Sequence, residues 1–220
     1  MNRAISPRPP NRGATLQVAT IGEAWLDIAR LILAEGVEGD WEGLPFLEVE
    51  LATLDIAEPD ANDPLIARHA PADRLAWMRA NFTERTRVAA LGDARSYASR
   101  LFDYAGAGRD QLAWVIERLR HNPSARDATI TTFEPLTDTT YIPCVSLLDF
   151  WLREGRLNLA VYAHSIDFGK KGFGNLVQLA ELQRTAAQAL DRPIGALTMV
   201  IKSAHIYLSE RERMSAISGT

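Results

Sequence analysis

"VSLLDFWLREGRLNLAVYA" (145–163) decides the fold. Two apolar runs flank "REGR", a polar break that carries Gly155, and this is the composition of two strands joined by a tight turn. Beyond the hairpin, the spacing predicts a helix from about Asn175 to Leu190. It sets Leu176, Leu179, Ala180 and Ala187 on one face, interrupted only by the polar Gln183, and "DRP" ends it. A last strand, "ALTMVIK" (196–202), leads into "SAHIY". Upstream, "DATITTF" (127–133) reads as a strand. "GRDQLAWVIERLR" reads as a helix with Leu112, Val115, Ile116 and Leu119 on one face and Asp110 as its cap.

The N-terminal half is less regular. In "TIGEAWLDIARLILAEG" Thr20 stands three residues before Glu23, a capping-box spacing, and Trp25, Ile28 and Ile32 share a helical face until Gly36. "LPFLEVELATLDI" (44–56) alternates as a strand does. Between 57 and 108, Pro59, Pro64 and Pro71 break the pattern, and only "ADRLAWMRANF" (72–82) reads as helix. The opening "MNRAISPRPPNRGA" (1–14) has three prolines, three arginines and little apolar surface, which predicts a flexible leader ahead of a single domain over 15–220.

Composition narrows the function classes. A chain of 220 residues with 47% apolar and 24% charged residues suffices for one globular core. Its net charge of -4 offers no footprint for a phosphate backbone, so the expected partners are small molecules and not nucleic acid. One cysteine allows neither an internal disulfide nor a thiolate metal site. No signal peptide and no apolar run of membrane-spanning length is evident, so a cytoplasmic protein with no membrane partner is expected.

That single cysteine, Cys144, follows Pro143 and precedes the hairpin. A lone cysteine beside a strand is more often a small packing residue than a nucleophile. Its company argues otherwise: "YAHSID", "GFGN" and "SAHIY" put polar groups at strand ends and at a helix start, where sites are usually built. In order and wording, "IPCVSLLDFWLREGRLNLAVYAHSIDFGKKGFGNLVQLAEL…SAHIY" resembles the catalytic core of the thymidylate synthase family, especially its compact archaeal type. Pro143-Cys144, Tyr162, Ser165, Asp167, Asn175, His205 and Tyr207 stand at the places of that family's motif, with no gap between Cys144 and Asn175. The similarity reaches back through "SYASRLF" to about residue 90.

The resemblance implies an α+β fold, one mixed sheet backed by helices, and an obligate dimer that pairs two such sheets face to face. It also implies transfer of a one-carbon unit from 5,10-methylenetetrahydrofolate, as co-substrate, to carbon 5 of a pyrimidine nucleotide. The chemistry accounts for the residue types. Carbon 5 of uracil is a poor nucleophile until a thiolate adds to carbon 6 and makes the ring an enolate. Cys144 would be that thiolate. Asn175 would hydrogen-bond the ring edge, and an amide there favours uracil over cytosine. Tyr97 would assist removal of the carbon 5 proton. His205 and Tyr207, two apart on a strand, would bind the sugar hydroxyl, with Ser165 and Asp167 lining the substrate site.

The chain also departs from the family. "YAHSID" has His164 where the family has a phosphate-binding arginine, and "SARDAT" has Arg126 followed by Asp127 where the family offers two arginines to the partner's site. Loss of charge-assisted bonds of roughly 1.5–3 kcal/mol each weakens 5′-monophosphate binding, unless Arg100, Lys170 or Lys171 compensates. If His164 holds phosphate, binding should weaken as pH rises through about 6.5. "DFGKKGFGN" replaces the family's Gly-x-Pro-x-Asn with a basic, glycine-rich loop, and Val145 stands where His is frequent. The general-base glutamate has no secure match: Asp73, Glu84, Glu48 and Glu50 are candidates. Little chain follows Tyr207, so the folate-closing tail of many relatives is expected to be short. Two other readings remain, a non-catalytic nucleotide-binding member of the fold and a thiol hydrolase, which lacks an oxyanion-hole motif.

Overall fold

The computed structural model describes residues 12–219. Residues 1–11 of the expected leader lie outside them, whereas Gly13 donates to the Glu50 carbonyl (2.8 Å) and the Ala14 carbonyl accepts from Thr53 (2.8 Å). They lead into β1 (Thr15–Val18), parallel to the second half of β3 (Leu44–Ile56), while β2 (Val37–Trp41) lies antiparallel along its first half. Two short strands, β4 (Arg87–Val88) and β5 (Ala94–Arg95), pair only with each other. β6 (Thr129–Thr131), β7 (Val145–Arg153), β8 (Arg156–Asp167) and β9 (Ile194–Tyr207) complete the main sheet. Its order is β1-β3-β9-β8-β7-β6, with β9 antiparallel to β3 and parallel to β8. The fold is thus α+β, a mixed sheet backed by helices.

The expected hairpin is β7 and β8, turning at Gly155 with φ +75°. The expected capping box is also present: Thr20 accepts from the Glu23 N–H, and the Glu23 carboxylate accepts from the Thr20 N–H. The helix it opens, α1 (Ile21–Glu35), buries Trp25, Ile28 and Ile32 completely against the sheet. α2 (Pro64–His69) and α3 (Ala72–Thr83) fill the stretch broken by prolines, because Pro64 and Pro71 stand at helix starts, where a missing N–H costs nothing. α4 (Tyr97–Phe102) and α5 (Gln111–His121) follow, the latter capped by Asp110 as expected.

Three boundaries differ from the sequence expectation. β6 is shorter than 127–133: its pairing register ends at Thr131, beyond which the Thr132 N–H still donates to the Ser146 carbonyl (3.1 Å) and its hydroxyl to the Val145 carbonyl. β9 runs unbroken through "SAHIY", carried by pairing on both edges. α6 (Gly172–Ala189) begins before Asn175, so Gly172 and Gly174 are helical and not part of a loop. Close packing explains these glycines: a Cβ on Gly172 would lie 2.6 Å from Phe168, and one on Gly174 would lie 2.9 Å from Met78 of α3. The polar Gln183 on the apolar face of α6 is structural, its amide within 2.8–3.2 Å of the Leu157, Gly195 and Ala196 carbonyls. A final helix, α7 (Arg211–Ser218), packs on α1.

α1 and α6 cover one face of the sheet. Across the other run Leu147, Tyr162 and Val200, neighbours in register on β7, β8 and β9 and each 38–39% exposed. The inward positions shift by one residue on three strands at the same level: from Ala163 to Ile166 on β8, from Ile201 to Ala204 on β9, and from Ala52 to Val49 on β3, where Leu51 has φ +53°. Beyond that shift the strand ends carry Ser165, Asp167, His205 and Tyr207.

Candidate active site

Cys144 is held by backbone anchors on either side of its sulfur. The Val145 N–H donates to the Tyr97 hydroxyl oxygen (2.9 Å), the Thr132 hydroxyl donates to the Val145 carbonyl, and the His164 N–H donates to the Cys144 carbonyl (3.0 Å). Tyr97 is itself fixed: it is buried, its ring stacks on Phe82 at 4.4 Å, and its N–H donates to Asn81 Oδ1 (3.1 Å). Burial, and after it the neighbouring Cys144 and Tyr141, push the Tyr97 hydroxyl well above its usual range. It is therefore protonated, and because its oxygen accepts from Val145, its own proton is available to a bound molecule.

The segment before Cys144 rests on a buried ion pair. Arg100 is 1% exposed and meets both Asp138 oxygens at 2.6 and 2.8 Å, and it also donates to the carbonyls of Thr132 (2.8 Å) and Arg95 (3.1 Å). Asp138 in turn accepts from the Glu134 N–H (2.8 Å). This corrects one expectation, since a guanidinium so occupied is not free to compensate for a missing phosphate arginine. From the same segment Tyr141 lies near enough to Cys144 for each to bear on the other's ionisation, and burial is the main reason its own hydroxyl resists ionisation.

The turn into α6 forms the opposite wall. Asp167 Oδ1 accepts from the N–H groups of Gly169 (2.9 Å) and Lys170 (3.0 Å), while its Oδ2 is buried with no partner among the described residues. Burial raises the Asp167 pKa, opposed first by His205. Trp25 donates from Nε1 to the Phe168 carbonyl (2.9 Å), and a clasp of Arg74, Glu210 and Arg213 closes on Gly169 from the other side. Asn175, one turn into α6, is 4% exposed, and its amide makes no hydrogen bond among the described residues.

His205 and Tyr207 sit together as expected. Their rings are 5.1 Å apart, Phe46 packs on both, and Lys170 Nζ lies 4.9 Å from the Tyr207 ring centre. Ser165 Oγ is 3.4 Å from His205 Nδ1. Burial keeps His205 below its usual pKa, so the ring is neutral at pH 7. Of the four carboxylates considered as a base, only Glu48 acts on a residue of this group: it accepts from Ser203 Oγ (2.6 Å), and its charge reaches His205. Glu50 pairs with Arg12 at the sheet edge, and Asp73 and Glu84 are exposed.

His164 and Arg126 stand apart from these groups. The His164 ring is 3.5 Å from Ser146 Oγ, and burial together with the Lys202 charge lowers its pKa. The charge change expected near pH 6.5 is therefore displaced toward acid, and His164 is neutral at pH 7. Arg126 is exposed, and the neighbouring Asp127 is held by both nitrogens of a bidentate Arg118 (2.7 and 2.9 Å). Sequence reasoning missed Tyr141, the Arg100–Asp138 pair, 38 residues apart, and the Glu210 clasp, which joins Arg74 across 136 residues and so leaves no local pattern. It noticed Lys171 only as a substitute for a phosphate arginine.

A cysteine fixed by its neighbours' backbone, with a protonated tyrosine and an unpaired carboxylate oxygen beside it, suits an enzyme that works through a thiol. The thymidylate synthase family model matches residues 68–217, and the chain belongs to that family. A protein of Methanosarcina mazei named "Putative thymidylate synthase" is 30% identical over 203 residues, 89% of this chain and 90% of that one. A like-named protein of Methanothermobacter marburgensis is 32% identical over 208 residues, 87% of this chain and 92% of its own. The match to a like-named Methanosarcina barkeri protein, 37% identical, spans 51% of this chain and about half (52%) of that relative. The deoxyuridylate hydroxymethyltransferase of Bacillus phage SP01 is 36% identical over 107 residues, 46% of this chain and 28% of that enzyme.

Proposed function

We propose that this protein transfers a one-carbon unit from 5,10-methylenetetrahydrofolate to carbon 5 of a pyrimidine nucleotide, with uracil the favoured base, through a covalent adduct on Cys144. The reading rests on the placement of Cys144 between Tyr97, Tyr141 and the turn into α6. The Cys144 sulfur adds to carbon 6, the ring electrons move to the carbonyl oxygen, and carbon 5 becomes the nucleophile. Asn175, whose amide has both a donor and an acceptor to offer, pairs with the ring edge and stabilises the developing charge. When bound, the folate supplies the one-carbon electrophile. Carbon 5 bonds to that carbon; its proton then passes by way of the Tyr97 hydroxyl to water while the carbon's bond to the folate nitrogen breaks, leaving an exocyclic methylene on the ring. Hydride from the reduced folate, or water, adds to that methylene as the sulfur departs from carbon 6, and the choice decides between a methyl and a hydroxymethyl product. The buried, unpartnered Asp167 Oδ2 and the amide of the buried Asn175 fit ligands rich in ring N–H and carbonyl groups. His205 and Tyr207 would hold the sugar, with Ser165 supporting His205. The proposed site is cytoplasmic, as the chemistry of reduced folates and a free thiol suits.

Incubation with 5-fluoro-dUMP and methylenetetrahydrofolate should give a covalent ternary adduct visible by mass spectrometry. No adduct, with nucleotide still bound, would support the non-catalytic reading. The neutral His164 and the self-paired Asp127 favour a weak grip on 5′-monophosphates.

We also propose a homodimer formed through the sheet face that carries Leu147, Tyr162 and Val200. A second copy set against it would cover an apolar row that lies in register across three strands, and Arg126 would reach the partner's site. Val200→Asp would bury a charge between the sheets. Sedimentation at micromolar concentration should show a dimer for the native chain and a monomer for the variant; a native monomer would remove the shared-site arrangement. Among the described residues no helix is long and apolar enough to cross a membrane.

A further inference from the structure

A planar trans peptide points its carbonyl and its N–H in opposite directions, so a bond that fixes one aims the other. Two successive peptide units follow Phe168, and each is held on both sides. In the first, the Phe168 carbonyl accepts from Trp25 Nε1 (2.9 Å) and the Gly169 N–H donates to Asp167 Oδ1 (2.9 Å). In the second, the Gly169 carbonyl accepts from Arg74 Nη1 (3.3 Å) and from Arg213 Nη2, and the Lys170 N–H donates to the same Asp167 Oδ1 (3.0 Å). One oxygen of the carboxylate thus takes two donors, and Oδ2 is left buried with no partner among the described residues.

The outer bonds are themselves organised. Glu210, 8% exposed, gathers both guanidiniums: its Oε1 accepts from Arg74 Nη2 (2.9 Å), and its Oε2 from Arg74 Nη1 (3.2 Å) and Arg213 Nε (2.9 Å). Burial works against the Glu210 charge, but the two arginines more than offset it and hold the carboxyl below its usual range. Glycine is needed at the contact, since a Cβ on Gly169 would lie 2.9 Å from Glu210 Cβ and 3.2 Å from Asp167 Oδ1. Attachment of α7 does not account for these bonds. Met214 already buries itself completely, and Arg30 Nε donates to the Ser218 carbonyl (2.7 Å). The Trp25 ring likewise packs on Phe173 at 4.9 Å without help from its N–H.

We propose that Trp25 and Glu210 are positioning residues for Asp167. Trp25 directly, and Glu210 through Arg74 and Arg213, clamp the carbonyls of Phe168 and Gly169 from outside, turn both N–H groups onto Oδ1, and so keep Oδ2 free to accept a hydrogen bond from a bound ligand's N–H. This deepens the function proposed above, in which Asp167 lines the substrate site.

The first measurement needs neither nucleotide nor folate. Amide hydrogen exchange of the native chain is compared by NMR with Glu210→Gln, which keeps the shape of the side chain but not its charge, and with Trp25→Phe, which keeps a ring against Phe173 but no donor. The Gly169 and Lys170 amides should exchange about tenfold faster in each variant, with the amides of β8 and β9 as in the native chain. The second measurement is the rate of ternary-adduct formation. Glu210→Gln should slow it roughly tenfold in the native background and by less than about twofold in Asp167→Asn, whose ligand-facing atom is already a donor and not an acceptor. Unchanged exchange at Gly169 and Lys170 in either variant overturns the proposal, and so does faster exchange spread over the whole chain, which would make the clasp a general fastening. Equal slowing in the native and Asp167→Asn backgrounds also overturns it, since Glu210 would then act by another route. Should the native chain form no adduct while the two amides respond, the function proposed above fails and the clamp on Asp167 stands.

Discussion

On the proposed mechanism Cys144→Ala should abolish both the ternary adduct and turnover, a loss of about 10⁴-fold or more, because removal of a covalent nucleophile leaves only binding and orientation behind. The same variant keeps its melting temperature close to the native value. The residue is fixed by backbone hydrogen bonds at Val145 and His164 that survive the substitution, and its side chain lies at the edge of the core and not within it. Cys144→Ser behaves alike, with a stability change below about 1 kcal/mol. Activity assays and thermal melts on the same preparations decide the point. A variant that unfolds while its folded fraction still turns over substrate would make Cys144 a packing residue.

Arg100→Met has the largest expected effect on stability. Removing the guanidinium leaves the Asp138 carboxylate buried with its charge unanswered and strips donors from the Thr132 and Arg95 carbonyls. Breaking a buried pair from one side costs about 3–5 kcal/mol. For a chain of this size that lowers the melting temperature by roughly 6–20 °C. Replacing both partners, Arg100→Met with Asp138→Leu, should recover much of the loss, since no charge is then stranded. Urea denaturation of the two single variants and the double variant measures the coupling. Additive losses would mean that the pair contributes no interaction of its own. The segment that this pair anchors carries Tyr141 to Cys144, so Arg100→Met should also slow adduct formation in the fraction that remains folded.

The sequence was legible where local pattern and tertiary packing agree. The capping box of Thr20 and Glu23, the alternation of 44–56 and the hairpin around Gly155 are each specified within a few residues and appear where expected. β1 was missed because the alternating "TLQV" is only four residues long, and β2 because "VEGDW" is mostly exposed. α7 was missed because "RERMSAIS" has few apolar residues, and what fixes it is Met214 buried against distant parts of the chain. α6 was placed three residues late because glycine argues against helix in isolation, whereas here Gly172 and Gly174 are demanded by the approach of Phe168 and Met78. The site shows the same division. Cys144, Asn175, His205 and Tyr207 were marked by the family resemblance, and the structure gathers them at one end of the sheet. The contacts packed around them, Lys171 on Trp77 and Arg100 on Asp138, join segments that no spacing rule reports.

The place of β9 bears on how the chain can be made. This strand lies between β3 and β8 in the sheet, yet it comes after both in the chain. As the polypeptide leaves the ribosome, β1, β2 and β3 can pair on one side and β6, β7 and β8 on the other, but no strand joins the two groups until residues 194–207 emerge. Each half meanwhile exposes an unpaired edge of the kind that recruits other chains. Nascent chains stalled before Ile194 should therefore depend on chaperones and resist proteolysis poorly. Protection should arrive in a single step once Tyr207 clears the exit tunnel, at the moment when His205 and Tyr207 first reach Asp167 and Ser165.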